Sequence, residues 1–254
     1  MAEQPFSNSA GGEQREMSSG PASSVAAGLD ALAALVWIWF NPVRAARAHR
    51  GNWTWVWPWL AVSIGSMTLS YFTAGLADLA MQLSVPDASV PGSNAADAVQ
   101  VARRFQIVGL WATPMLLLVK WAVSTGLVTW LSVVANIQVR GSRVFFLVVL
   151  CGGVTLIGDV MGFVVLSLSE APRTLADLSP KVGLNALIRS TDPVISTLTA
   201  WVSIPNLLYY GILADGLAAF AAVSLSRASV VVGLIAVLNL AVVMVGVLMA
   251  TQAQ

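Results

Sequence analysis

The chain has 254 residues, of which 57% are hydrophobic and 10% charged, with a formal net charge of +1 and a mean hydropathy of +0.79. So low a charged fraction excludes an ordinary soluble domain, where about a quarter of residues carry charge, and marks an integral membrane protein. The near-neutral balance excludes nucleic acid as a partner, because phosphate binding needs a basic patch. One cysteine, Cys151, and one histidine, His49, leave no disulfide framework, no metal site and no cofactor motif to assign.

Residues 1–23 are rich in Ser, Gly, Ala and Gln and show neither helical nor strand period, so they are read as a disordered arm. Arg15 between Glu13 and Glu16 does not fit the basic-then-apolar order of a secretory signal. Ser24 is positioned to cap the next run, VAAGLDALAALVWIWF, which ends before the Asn41-Pro42 pair. At about 24 Å this helix is too short to span, and Asp30 shortens its apolar part. It is expected to lie in the interface, with a half-inserted hairpin as the alternative.

Asn41 can cap a second short helix with Pro42 at its first position, ended by Gly51. Arg44, Arg47 and Arg50 recur there every third residue and can meet anionic head groups together. Trp53, Trp55, Trp57 and Trp59 follow, an aromatic cluster of the kind that marks where bilayer meets water. Residues 24–51 are thus read as interfacial amphipathic helices, and residues 52–254 as a membrane domain. Anchoring of the first span explains the arginines and tryptophans, and a dedicated lipid site is the sharper alternative.

Hydropathy predicts five spans, near 55–80, 107–134, 144–168, 196–222 and 229–250, which makes the fold class all-α, a polytopic helical membrane protein. Two long connections, 81–106 and 169–194, carry turn-forming residues, and the second is expected to hold a helix beginning at Ser179-Pro180. Placing Arg44, Arg47, Arg50, Arg140, Arg143 and Arg227 on the cytoplasmic side puts the N-terminus inside and, after five spans, the C-terminus outside. No internal repeat is visible.

Several segments carry a family resemblance. NPVRAARAHRGNWTWVWPWL, VKWAVSTGLVTWLSVVANIQVRGSRVFFLVV and the stretch from LNALIRSTDPV to SLSRASVVVG together cover most of residues 25–250. In pattern and spacing they resemble the Ypt-interacting protein (Yip) family, most of all its bacterial members. The resemblance implies a five-span bundle in the bacterial cytoplasmic membrane with a cytoplasmic N-terminus. Eukaryotic members are associated with small GTPases; this chain lacks the acidic and aromatic motifs of their N-terminal domain, so that partnership is not carried over. Membrane lipids, other membrane proteins or a second copy of the chain are the partner classes that remain.

No catalytic residue can be named. His49 lies among arginines, and the Gly-rich CGGVTLIGDVMG lacks the Lys-Ser/Thr of a phosphate loop. Gly158 and Gly162 form a small-xxx-small pair suited to close helix packing. More informative are Lys120, Asp159 and Asp215, each costing about 2.5–3.5 kcal/mol at a bilayer centre and therefore expected to pair or to line a polar cavity. Counting residues from the outer face puts Lys120 about 20 Å, Asp159 about 14 Å and Asp215 about 28 Å down, which favours a Lys120–Asp159 pairing. The sequence leans toward a structural, scaffolding or membrane-organising role. A small transporter or lipid-handling protein is the alternative, kept open by Pro205, Asn206, Tyr209 and Tyr210.

Overall fold

The computed structural model describes residues 21–47, 53–84, 95–168, 183–188, 190 and 192–252. Among these the chain is helical throughout, and four helices are long and apolar enough to cross a membrane: Arg103–Val134, Gly141–Leu168, Ile204–Ala221 and Leu225–Met249. The secondary structure comprises α1 (Pro21–Phe40), α2 (Pro42–Arg47), α3 (Val56–Ser84), α4 (Ala95–Val134), α5 (Gly141–Leu168), α6 (Pro193–Trp201), α7 (Ile204–Ala221) and α8 (Leu225–Gln252). The arm expected over residues 1–23 falls, up to residue 20, outside the described residues.

Helix starts follow local chemistry. α1 begins at Pro21, so Ser24 lies inside its first turn and does not cap it. Proline is favoured at a first helical position, where its missing N–H has no partner to lose. Asn41 does cap α2, its Oδ1 accepting from the Arg44 N–H at 2.9 Å. α2 ends at Arg47, and the expected stop at Gly51 lies outside the described residues. The connection expected over residues 81–106 is mostly helical at its ends: α3 runs to Ser84 and α4 starts at Ala95. ADAVQVARRFQ holds neither Pro nor Gly, so nothing stops α4 from extending backward. Its 40 residues reach about 60 Å, roughly twice a hydrocarbon core, and the first turns lie beyond the apolar span.

α5 is the centre of the bundle, packed against α1, α3, α4 and α7. Val144, Phe146 to Cys151 and Val154 are buried on every side of it, as expected of a helix apolar all round. Trp121, Val128 and Leu131 of α4 and Ile212 to Ala214, Leu217 and Ala218 of α7 complete the core around them, and Ala228, Val231, Val232 and Ile235 of α8, which packs on α7, extend it. The core therefore occupies the half of the bundle nearest the α4–α5 and α7–α8 turns. Glycines bring the helices together there: a Cβ at Gly152 would collide with the Trp121 ring, and one at Gly216 with Leu147.

Both turns use a left-handed residue to reverse direction, Asn136 at φ 55° and Ala222 at φ 53°. α1 buries Ala31, Ala34 and Ile38 against the bundle, while Leu29, Val36 and Phe40 remain exposed. The four tryptophans, two in the turn before α3 and two in its first turn, divide into an exposed and a packed pair. Trp53 and Trp57 are exposed, whereas Trp55 sets its ring edge-on to Phe145 at 5.0 Å and Trp59 donates from Nε1 to the Pro114 carbonyl at 3.3 Å.

A broken helix and the polar cavity beside it

The fourth expected span, 196–222, is not one helix. It breaks into α6 and α7 at Val202-Ser203, and only α7, 18 residues long, qualifies as spanning. Pro205 accounts for the break, because in a continuous helix its ring would clash with the carbonyl of Trp201 and its missing N–H would leave that carbonyl without its usual donor. The freed Trp201 carbonyl instead accepts from Asn206 Nδ2 at 2.8 Å and from the Ser203 N–H at 2.9 Å. Ser203 starts α7 as its N-cap. Asp192 does the same for α6, accepting from the Val194 and Ile195 N–H groups at 2.7 and 3.2 Å with Pro193 beside it.

The segment before α6 crosses the break. In place of the expected helix through KVGLNALIR, the described part holds one 3₁₀ turn, Leu184–Ala186. Leu184 N–H donates to the Val202 carbonyl at 2.9 Å, and Gly183 bridges Ser203. A Cβ at Gly183 would sit 2.9–3.0 Å from the carbonyls of Thr199, Ala200 and Val202, so only glycine fits where this turn lies on the end of α6. Gly158 of α5 is in the same position relative to α7: a Cβ there would come 2.7 Å from that of Pro205. Its expected partner Gly162 is buried in α5.

Between these elements lies a cavity of about 340 Å³. Lys120 of α4 and Asp159 of α5 line it, with Ser66 of α3, Thr155 and Gly158 of α5, and Ser203, Pro205 and Asn206 at the break. Lys120 sits about 21 Å from Val134 and Asp159 about 27 Å from Gly141 along their helices, so both lie well inside the spans and at different levels. They are within electrostatic reach of each other, yet no direct ion pair of 4 Å or less joins them. The expected Lys120–Asp159 pair is therefore not made as a direct contact; the two residues line one cavity instead.

Asp215 is not brought to that cavity. It is half-buried on α7 between buried Ala214 and Gly216, about 9 Å from the end of the helix at Ala221. Tyr210 accepts from Asn239 Nδ2 of α8 at 2.8 Å and stacks near Trp201 and Tyr209, which ties α7 to α8. Of the arginines read as lipid contacts, Arg44 is exposed and holds its guanidinium 3.7 Å over the Trp37 ring, a cation–π contact within the chain. Arg47 lies at the end of α2, its side chain outside the described residues, as are Arg50 and His49.

Sequence reasoning missed Ser66, Thr155, Ser203 and Gly183. The usable signal was the Ser203-Ile204-Pro205 order, a capping residue followed by proline in the middle of an apolar run. Such a signal marks a helix start, not a helix interior. Among the described residues no group of three or more His, Cys, Asp or Glu could hold a metal ion. Comparison with protein-family profiles, with curated proteins and with solved structures returns no match to this chain.

Proposed function

We propose that this chain is an integral membrane protein that binds a small polar solute within its transmembrane bundle, in the manner of a transporter or solute-handling protein, without catalysis. The observation that carries the reading is the Lys120–Asp159 cavity beside a broken helix. Two ionisable groups at span depth are costly, and the preference for a purely structural role weakens when they face a cavity and not each other. Interrupted helices at such depth expose backbone groups only where a cavity or neighbouring protein accepts them.

In this reading α3, α4, α5, the α6–α7 pair and α8 make five crossings, with α1 laying its exposed apolar side chains against lipid. α3 is 29 residues long and so has the length to cross, although it is less apolar than the other four. The resemblance to the Yip family and the Lys/Arg distribution support a cytoplasmic N-terminus in a bacterial cytoplasmic membrane. A scaffolding role is the second reading, supported by the close packing of α7, where Asp215 is half-buried between buried Ala214 and Gly216.

The test is access of water to the cavity. Cys151 is fully buried, so a single introduced thiol at Ser66→Cys reports alone. In lipid discs of phosphatidylglycerol a membrane-impermeant thiol reagent should modify it, because the reactive thiolate forms only where water reaches. Val230→Cys, on an exposed apolar face of α8, should stay unmodified. An unreactive Ser66→Cys would mean a dry cavity and would remove the solute-binding reading.

A further inference from the structure

We propose that the cavity selects a small zwitterion, whose anionic group meets Lys120 and whose cationic group meets Asp159; this rests on the solute-binding reading above. The argument begins with charge balance. The cavity presents one fixed cation and one fixed anion on different helices, and neither satisfies the other directly. A simple anion would neutralise Lys120 and leave Asp159 facing a low-dielectric wall, and a simple cation would do the reverse. Leaving one charge at membrane depth without a counter-charge is costly, so a net-neutral ligand carrying both charges is the species that pairs each end.

Geometry sets the spacing. Lys120 and Asp159 differ by about 6 Å in level along the bundle, an offset that a ligand with charges a few Å apart can bridge. Size agrees, since 340 Å³ lies at the lower end of small-molecule sites and suits an amino-acid-sized solute. Thr155 of α5 and Asn206 of α7 line the same cavity; with the Thr155 hydroxyl donating to the Gly152 carbonyl and Asn206 Nδ2 to that of Trp201, their side-chain oxygens are left to accept. They supply the few neutral hydrogen-bonding groups that orient a ligand without changing the charge balance. Zwitterions come from two sources, a free solute or the head group of a zwitterionic lipid, and both present the same chemistry.

The Ser66→Cys reporter in phosphatidylglycerol discs measures both the class and the source. Glycine, alanine, glycine betaine and glycerophosphoethanolamine serve as zwitterionic probes, with acetate and methylammonium as their single-charge counterparts. At least one zwitterion should protect the thiol at a concentration about tenfold lower than either counterpart. Adding Lys120→Met should shift the preference to methylammonium, and Asp159→Asn should shift it to acetate. If either variant fails to fold, the comparison of probes on the reporter with both charges intact decides alone. Protection that appears only when phosphatidylethanolamine replaces phosphatidylglycerol assigns the zwitterion to a lipid head group and supports the same chemistry. Protection by acetate or methylammonium as strong as by any zwitterion overturns the proposal. So does a thiol that reacts freely in both lipids and that no probe protects. Both results leave the wet cavity, and with it the solute-binding reading, in place.

Discussion

Gly158 of α5 lies so close to Pro205 of α7 that a methyl group at 158 would stand 2.7 Å from the proline Cβ. That contact fixes the start of α7 against the central helix at the level of Asp159. Backbone proximity, and not side-chain interlocking, therefore shapes one wall of the cavity. Since proline has no rotamer to yield, an added methyl must push α5 and α7 apart.

Gly158→Ala should accordingly destabilise the bundle by about 1–3 kcal/mol, the usual cost of overpacking a close contact. Gly233→Ala is the control, because nothing lies within 4 Å of a Cβ there and alanine is the better helix former. Thermal unfolding in detergent or lipid discs measures both. Equal stability of the two variants would show that α5 and α7 are not held in contact.

Lys120 and Asp159 should couple, and Lys120 and Asp215 should not. In a double-mutant cycle on thermal stability, Lys120→Met with Asp159→Asn should show a coupling of about 0.5 kcal/mol or more. The same lysine change with Asp215→Asn should be additive within about 0.3 kcal/mol. Only the first pair lines a common cavity. Coupling confined to Asp215 would place the lysine on the wrong side of α4.

Ala222 closes α7 in the left-handed conformation at φ 53°, a region costing a non-glycine residue about 1–2 kcal/mol. Ala222→Gly should relieve that strain and raise stability by about 0.5–1 kcal/mol after the extra entropy of the unfolded glycine is subtracted. A melting temperature that falls would show that the α7–α8 turn is held differently. Asn136, at φ 55° in the α4–α5 turn, should respond less, because asparagine tolerates this region.

The proposed arrangement of five crossings puts the two ends of the membrane domain on opposite sides. A reporter enzyme fused after Gln254 should therefore behave as extracytoplasmic when the N-terminus is cytoplasmic. A cytoplasmic signal would mean that α3 does not cross, or that the whole bundle is inverted.

Composition and the position of breakers determined the class and most of the helices. Long uncharged runs permit only structures that satisfy their own backbone hydrogen bonds, which is why α4, α5 and α8 could be placed from hydropathy alone. Asn41-Pro42 set the start of α2 for an equally local reason. The tertiary structure decided what depends on more than one helix. A run of apolar residues from 196 to 222 reads as one span, because hydropathy averages over Pro205 and is blind to a two-residue break. The backward extension of α4 was hidden by polar residues that are nevertheless good helix formers. Counting depth along the helices already set Asp215 apart from Lys120 and Asp159, but the direction of a side chain around a helix cannot be counted. Packing turned Lys120 and Asp159 into a shared cavity and left Asp215 on another part of α7. Whether two charges meet depends on the rotation of each helix about its axis, and that is fixed by contacts such as Gly158 on Pro205, between residues far apart in the chain.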